Sequence, residues 1–195
     1  MLRRLSILPL VLFGCDSGNL DRDDAGFFVD DAGQRTDVGE VKRDTILVKY
    51  VFDGDTIKLS AGPDAPLTPD GKPLEGENVR LLGVDAPEIE HPPTPAECWG
   101  PESSAAARDL LLGRQVRLEY DPAQELRDGT ESHRLLAYVI LVDGGQNANG
   151  ELIRQGHACS FRRFAHRLSS VFNGYESEAE TANRGFWASC TGGCD

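Results

Sequence analysis

The residues able to do chemistry fall in a few short stretches. Asp53 and Asp55 flank Gly54 between two β-rich runs, Asp85 and Glu88 follow the run that ends at Val84, Arg80 lies within that run, and Arg134 opens another. Carboxylates from two loops that meet at one end of a sheet offer hard oxygen donors, suited to Ca²⁺ or Mg²⁺ and not to a soft metal. A pair of guanidinium groups can grip a phosphate bidentately and offset the charge that grows as phosphorus becomes five-coordinate. Each set alone has a plain structural reading, since an Asp-Gly-Asp turn forms for local reasons and a surface arginine ordinarily pairs with a nearby acid. Together they point to metal-assisted chemistry on a phosphate ester. His91, His133, His157 and His166 are scattered and lack ligand spacing, and Cys98, Cys159, Cys190 and Cys194 include no CxxC pair with partner histidines, so neither set reads as a zinc site.

Short elements must position these groups. Ile46, Val48, Tyr50 and Phe52 alternate with Leu47, Lys49 and Val51, and Asp53-Gly54-Asp55 then supplies a turn before a second strand over 56–59. A Pro- and Gly-rich connection leads to a third strand over 78–84. Pro101-Glu102 starts a helix over 103–112 that Gly113 stops. Strands follow over 116–120 and 135–142, the second ending at Asp143-Gly144-Gly145. A short helix spans 149–155, closed by Gly156, and a charged one spans 175–183, ending near Gly185-Phe186-Trp187. Five short strands interleaved with helices make an α+β domain, mainly β. A Greek-key barrel removes the exposed edges of such a sheet, while periodicity alone leaves an α/β sandwich equally open.

The ordered strings are more specific than the pattern. Val51-Phe52-Asp53-Gly54-Asp55-Thr56-Ile57-Lys58-Leu59, then Val79-Arg80-Leu81-Leu82-Gly83-Val84-Asp85-Ala86-Pro87-Glu88, then Gly100-Pro101-Glu102-Ser103, then Arg134-Leu135-Leu136-Ala137-Tyr138-Val139 resemble the successive motifs of the staphylococcal nuclease family. Leu152-Ile153-Arg154-Gln155-Gly156 and the closing Gly185-Phe186-Trp187 extend the resemblance over 45–188. It implies a five-stranded OB-type Greek-key barrel with about three helices and a nuclease hydrolysing phosphodiester bonds of DNA and RNA to leave 3′-phosphate ends. It further implies Ca²⁺ held by Asp55, Asp85 and the Ala86 carbonyl, with Arg80, Glu88 and Arg134 catalytic. Two departures stand out: alanine at position 86, where the family commonly has threonine, and Ser132-His133 before Arg134, where it usually has Tyr or His followed by Gly. Where the family often places nucleotide-contacting tyrosines, Phe161-Arg162-Arg163-Phe164 offers Phe164 to stack on a base and Arg162 or Arg163 to hold a phosphate.

The balance of 32 acidic against 20 basic residues gives a net charge of -12, and the segment 46–195 alone carries 23 acidic against 14 basic. Affinity for a polyanion normally comes from clustered Lys and Arg. Any nucleic acid must therefore be gripped by a local basic cleft, with bound Ca²⁺ offsetting part of the acid. This imbalance keeps two other readings in view: a catalytically silent OB-fold lipoprotein that binds nucleic acid or protein, and a surface lipoprotein whose Ca²⁺ site is structural.

The N-terminus reads as a targeting segment. Arg3 and Arg4 precede an apolar stretch over 5–13, too short to span a bilayer, and Leu12-Phe13-Gly14-Cys15 closes it in a way that resembles a bacterial lipoprotein signal lipidated at Cys15. The expected organisation is a signal over 1–15, a flexible acidic linker over 16–44, the nuclease-like domain over 45–190 and a short tail over 191–195. The expected product is a monomer, exported and lipid-anchored in the cell membrane or outer membrane, facing the periplasm or the exterior. Export makes Cys98, Cys159, Cys190 and Cys194 candidates for disulfides, with three pairings open.

Overall fold

The computed structural model describes residues 21–22, 28–29, 44–62 and 65–192. The chain divides into two units, Met1–Val41 and Lys42–Asp195. In the first, β1 (Asp21–Arg22) pairs antiparallel with β2 (Phe28–Val29), a minimal ladder within the stretch read as a linker. The signal segment and Cys15 lie outside the described residues.

The second unit holds β3 (Thr45–Val51), β4 (Thr56–Leu59), β5 (Asn78–Leu81), β6 (Val84–Asp85), α1 (Gly100–Leu111), β7 (Gln115–Glu119), β8 (Leu135–Leu141), α2 (Ala148–Arg154), β9 (Cys159–Ser160), α3 (Ser169–Thr181) and the one-turn α4 (Phe186–Ser189). Five strands close a barrel in the order β3-β4-β5-β8-β7, antiparallel except for the β5–β8 pair. Closure leaves no unpaired edge, which resolves the choice between barrel and sandwich. No described helix is long and apolar enough to cross a membrane.

The core follows the strand period, with one break in phase. Ile46 and Val48 point inward, but the β3–β4 register slips between Val48 and Tyr50, so Val51 is the next buried residue. The bulge moves Tyr50 and Phe52 to the outside, against the simple alternation expected for this strand, and their rings meet edge to face at 5.0 Å. In β8 both faces are buried from Ala137 to Leu141, because α2 covers the outside of the barrel there. Asn149 of α2 is fully buried; its Oδ1 accepts from the Val139 N–H at 2.9 Å, and its Nδ2 donates to the carbonyls of Leu82 and Ala137 at 3.0 and 3.1 Å. One side chain thus satisfies backbone groups where β5 and β8 part.

Two of the departures from the expected ranges have a visible cause. The strand expected over 78–84 breaks at Gly83, where φ is +78° and an added Cβ would lie 2.4 Å from His166 Cε1. The chain turns there and resumes as β6, which pairs with β9 through Val84–Ser160 and Asp85–Cys159. The charged helix expected over 175–183 is α3, which begins at Ser169, six residues earlier. Phe172, 1% exposed, packs edge to face on the Tyr138 ring at 6.1 Å, and this burial overrides the weak helix preference of Ser169-Ser170-Val171. Of the candidate disulfides, Cys98 pairs with Cys190. Cys159 is disulfide-bonded as well, and Cys194 lies outside the described residues.

Candidate active site

The turn between β3 and β4 is built by Asp53. Its Oδ1 accepts from the Asp55 N–H at 3.0 Å and the Thr56 N–H at 2.7 Å, a local bond pattern that fixes the turn. Gly54 is required by crowding, since a Cβ there would lie 2.2 Å from Ser103 Oγ of α1 and 2.4 Å from the Ala86 Cβ. The turn is thereby pressed against both α1 and the residue after Asp85. Asp55 points inward and is 2% exposed.

Three groups converge on the Asp55 carboxylate. Thr56 Oγ1 donates to its Oδ1 at 3.0 Å, the Ala86 N–H donates to its Oδ2 at 3.2 Å, and Arg80 Nη1 forms an ion pair with Oδ1. Arg80 faces Thr56 across the β4–β5 ladder, which delivers it to this carboxylate. Its other nitrogen, Nη2, donates to the Val84 carbonyl at 3.2 Å and lies 3.6 Å from Asp85 Oδ1. Arg134 enters from the start of β8, where its Nη1 donates to Thr56 Oγ1 at 3.1 Å. One hydroxyl therefore links the second arginine to the buried acid.

Arg134 is held on its other side by a partner that sequence reasoning missed. Asp128 Oδ2 accepts from Arg134 Nε at 2.7 Å, while Oδ1 accepts from the Arg134 N–H at 3.0 Å. Arg127, in turn, donates to the His133 carbonyl at 2.9 Å and is clamped by both oxygens of Glu77 at 2.8 Å. His133 takes the left-handed φ of 44° that a glycine would adopt freely. These two acids brace the turn around it. The only sequence cue was the turn string Asp128-Gly129-Thr130, which says nothing of a partner six residues on.

Three carboxyls around this point are pushed upward. Burial drives Asp55 to about 7, opposed by Arg80 and reinforced by Asp53. Burial also raises Asp85, against Arg80, with Glu97 adding repulsion. Glu88 is raised first by burial and then by Asp53. Arg80 is the opposing cation common to all three, leaving net negative charge of the kind a hard divalent cation relieves. Among the described residues, no three His, Cys, Asp or Glu side chains gather on a single point. The oxygen donors nearby are the carboxylates of Asp55 and Asp85, with the Ala86 N–H bonded to Asp55; carboxylate oxygens are the chemistry that a hard cation such as Ca²⁺ would take.

A cavity of about 700 Å³ opens beside the two arginines, and Arg80, Arg127, Arg134, Leu136, Phe164 and His166 are among its walls. Phe164 is 63% exposed, with its ring 5.9 Å from that of Phe161. Arg162 is not part of this wall; it pairs with Glu176 of α3. The structure brings together Asp55, Arg80, Asp85, Ala86 and Arg134, puts Phe164 at the cavity, and carries Glu88 on the loop just beyond Ala86.

Residues 78–189 match the family model described as staphylococcal nuclease homologue. The chain belongs to the staphylococcal nuclease family. It is 33% identical over 145 residues to a thermonuclease of Staphylococcus hyicus, covering 74% of this chain and 76% of that protein. It is 38% identical over 119 residues to a thermonuclease of Staphylococcus intermedius, covering 61% of each. An uncharacterized endonuclease of Haemophilus influenzae is 26% identical over 147 residues, covering 75% of this chain and 68% of that protein. The mixed five-stranded barrel with its flanking helices is the OB-type fold that the family resemblance implied.

Proposed function

We propose that this member of the staphylococcal nuclease family is a Ca²⁺-dependent phosphodiesterase that cleaves DNA and RNA and leaves 3′-phosphate ends. The hydrolase class rests on the family and on relatives named as thermonucleases and an endonuclease. The observation that carries the reading is the convergence of Arg80 and Arg134, through Asp55 and Thr56, at one end of a cavity with an exposed aromatic wall. Ca²⁺ and the position of the cut rest on the resemblance and on the hard-oxygen donors. Asp55, Asp85 and the Ala86 carbonyl would hold the ion, which when bound supplies Lewis-acid charge beside a phosphate oxygen. Glu88 orients a water and takes its proton, a task helped by a carboxyl that burial holds above its usual range and so makes more basic. Arg80 and Arg134 neutralise the charge that builds on the equatorial and leaving oxygens as the bond to the 5′ oxygen breaks. Phe164 stacks on a base; Arg162 can join only by leaving Glu176.

The test is incubation of the purified chain with single-stranded DNA or RNA, in Ca²⁺ or in chelator, with mapping of the product ends. Cleavage confined to the Ca²⁺ lanes, with 3′-phosphate ends, is expected. Equal cleavage in chelator would remove the metal from the reading, and no cleavage would favour the silent binding module. The signal-like segment and Cys15 support export and a lipid anchor in the cell or outer membrane. Cys15→Ser should then shift the protein from the membrane to the soluble fraction, and an unchanged distribution would discard the anchor.

A further inference from the structure

The loop that leaves Glu88 is held by a few backbone contacts: His91 and Thr94 bridge to each other within it, the Gly100 N–H donates to the Glu97 carbonyl at 3.1 Å, and the Glu88 carbonyl lies against Gly100 of α1. Residues 90–98 are all exposed, so burial does not fix the course of the chain between the glutamate and α1. Glu97 closes this loop on itself: its N–H donates to the Glu88 carbonyl at 2.9 Å, and its Oε2 accepts from the Glu88 N–H at 2.9 Å. The side-chain bond is open to water, which competes for it. The next residue, Cys98, is covalently joined to Cys190, 92 positions away. Cys190 caps α4, and α4 is tied to the body of the domain where the Phe186 N–H donates to the Gly156 carbonyl at 3.0 Å. On the other side of the bond, Trp99 Nε1 donates to His157 Nδ1 at 3.4 Å and Ser103 Oγ donates to the His157 carbonyl at 2.7 Å.

We propose that Glu97 and the Cys98–Cys190 bond are a positioning device for Glu88: the disulfide pins the far end of an exposed loop to the C-terminal helix, and Glu97 transfers that fixity to the Glu88 backbone. Neither residue touches substrate. The inference rests on the proposed role of Glu88 as the group that orients water. A base displaced by a fraction of an ångström loses rate while ground-state binding, set at Arg80, Arg134 and the cavity, is unaffected. The disulfide therefore acts on the chemical step and not on substrate or ion affinity.

The experiment uses the full chain, a single-stranded oligonucleotide and saturating Ca²⁺, at a temperature well below the melting point of every variant. C98S/C190S is expected to lower kcat by about tenfold with KM and the half-saturating Ca²⁺ concentration within about twofold of wild type. Glu97→Ala should behave the same way. Glu97→Gln, whose amide oxygen still accepts from the Glu88 N–H, should stay within about twofold of wild type. Adding Glu97→Ala to C98S/C190S should cost little more, because both changes release one loop. Unchanged kcat in C98S/C190S, a loss confined to KM, or Glu97→Gln as slow as Glu97→Ala overturns the proposal while leaving the nuclease reading standing. A wild-type chain that cleaves nothing overturns both.

Discussion

At Asp55 two electrostatic effects oppose each other, and burial wins. Sealed to 2% exposure, the carboxyl rises from an ordinary 3.8 to about 7 despite its ion pair with Arg80. The sign of the consequence follows from proton binding: the native state keeps this proton up to about pH 7, whereas the unfolded chain loses it near pH 3.8. The Asp55 contribution to stability in chelator is thus fullest below pH 4 and is lost as pH rises to 7. Melting curves in chelator should show a steeper decline over that window for wild type than for Asp55→Asn. Protons compete with the cation for the same carboxylate, so millimolar Ca²⁺ should raise the melting temperature more at pH 8 than at pH 5.5. A Ca²⁺ shift equal at both pH values would separate Asp55 from the ion. For the reaction itself, Glu88→Gln should lower kcat by roughly 10²–10⁴ and Arg134→Ala by roughly 10²–10³. Retention of more than about a tenth of wild-type kcat would remove either residue from its proposed role.

Elements set the site by where they break. Had β5 run on to residue 84, Asp85 would have continued along the barrel wall; the kink at Gly83 and the β6–β9 pairing carry it next to Arg80 instead. Position 133 is the opposite case, where a non-glycine residue bears a left-handed conformation because Arg127, Glu77 and Asp128 hold the turn around it. That conformation costs an L residue roughly 1–2 kcal/mol, partly offset by the extra freedom glycine gives the unfolded chain. His133→Gly should therefore stabilise the protein by about 0.5–1 kcal/mol, visible as a rise of roughly 1–4 °C in melting temperature, with cleavage unchanged. A lower melting temperature would mean that the imidazole itself supports the turn. Asn149 carries more, because its loss leaves the Val139 N–H and the Leu82 carbonyl in want of a buried partner. Asn149→Ala should cost about 2–4 kcal/mol in urea unfolding, and a cost under 1 kcal/mol would show that other groups take over those bonds.

Over the whole molecule, charge and function pull against each other. A net charge of -12 repels a polyanion, and the cations the site offers to phosphate are few. Two arginine contacts predict a shallow salt dependence, with log Kd for single-stranded DNA rising by roughly 1.4 per decade of salt. Titration of the Glu88→Gln variant with a labelled oligonucleotide at several salt concentrations checks this. A slope of 5 or more would reveal a basic track beyond Arg80 and Arg134.

The sequence by itself determined the family and the five barrel strands and nominated Asp55, Arg80, Asp85, Glu88 and Arg134 for the site, because the ordered strings around these residues combine turn chemistry with strand period over short range. What it left open were pairings that the local sequence does not encode. The bulge that turns Tyr50 and Phe52 outward, the bond of Asp128 to Arg134, the clamp of Glu77 on Arg127 and the choice of Cys190 for Cys98 have no local signature. Each depends on which surfaces meet once the barrel has closed, and periodicity records only which face of an element is buried, not what lies against it.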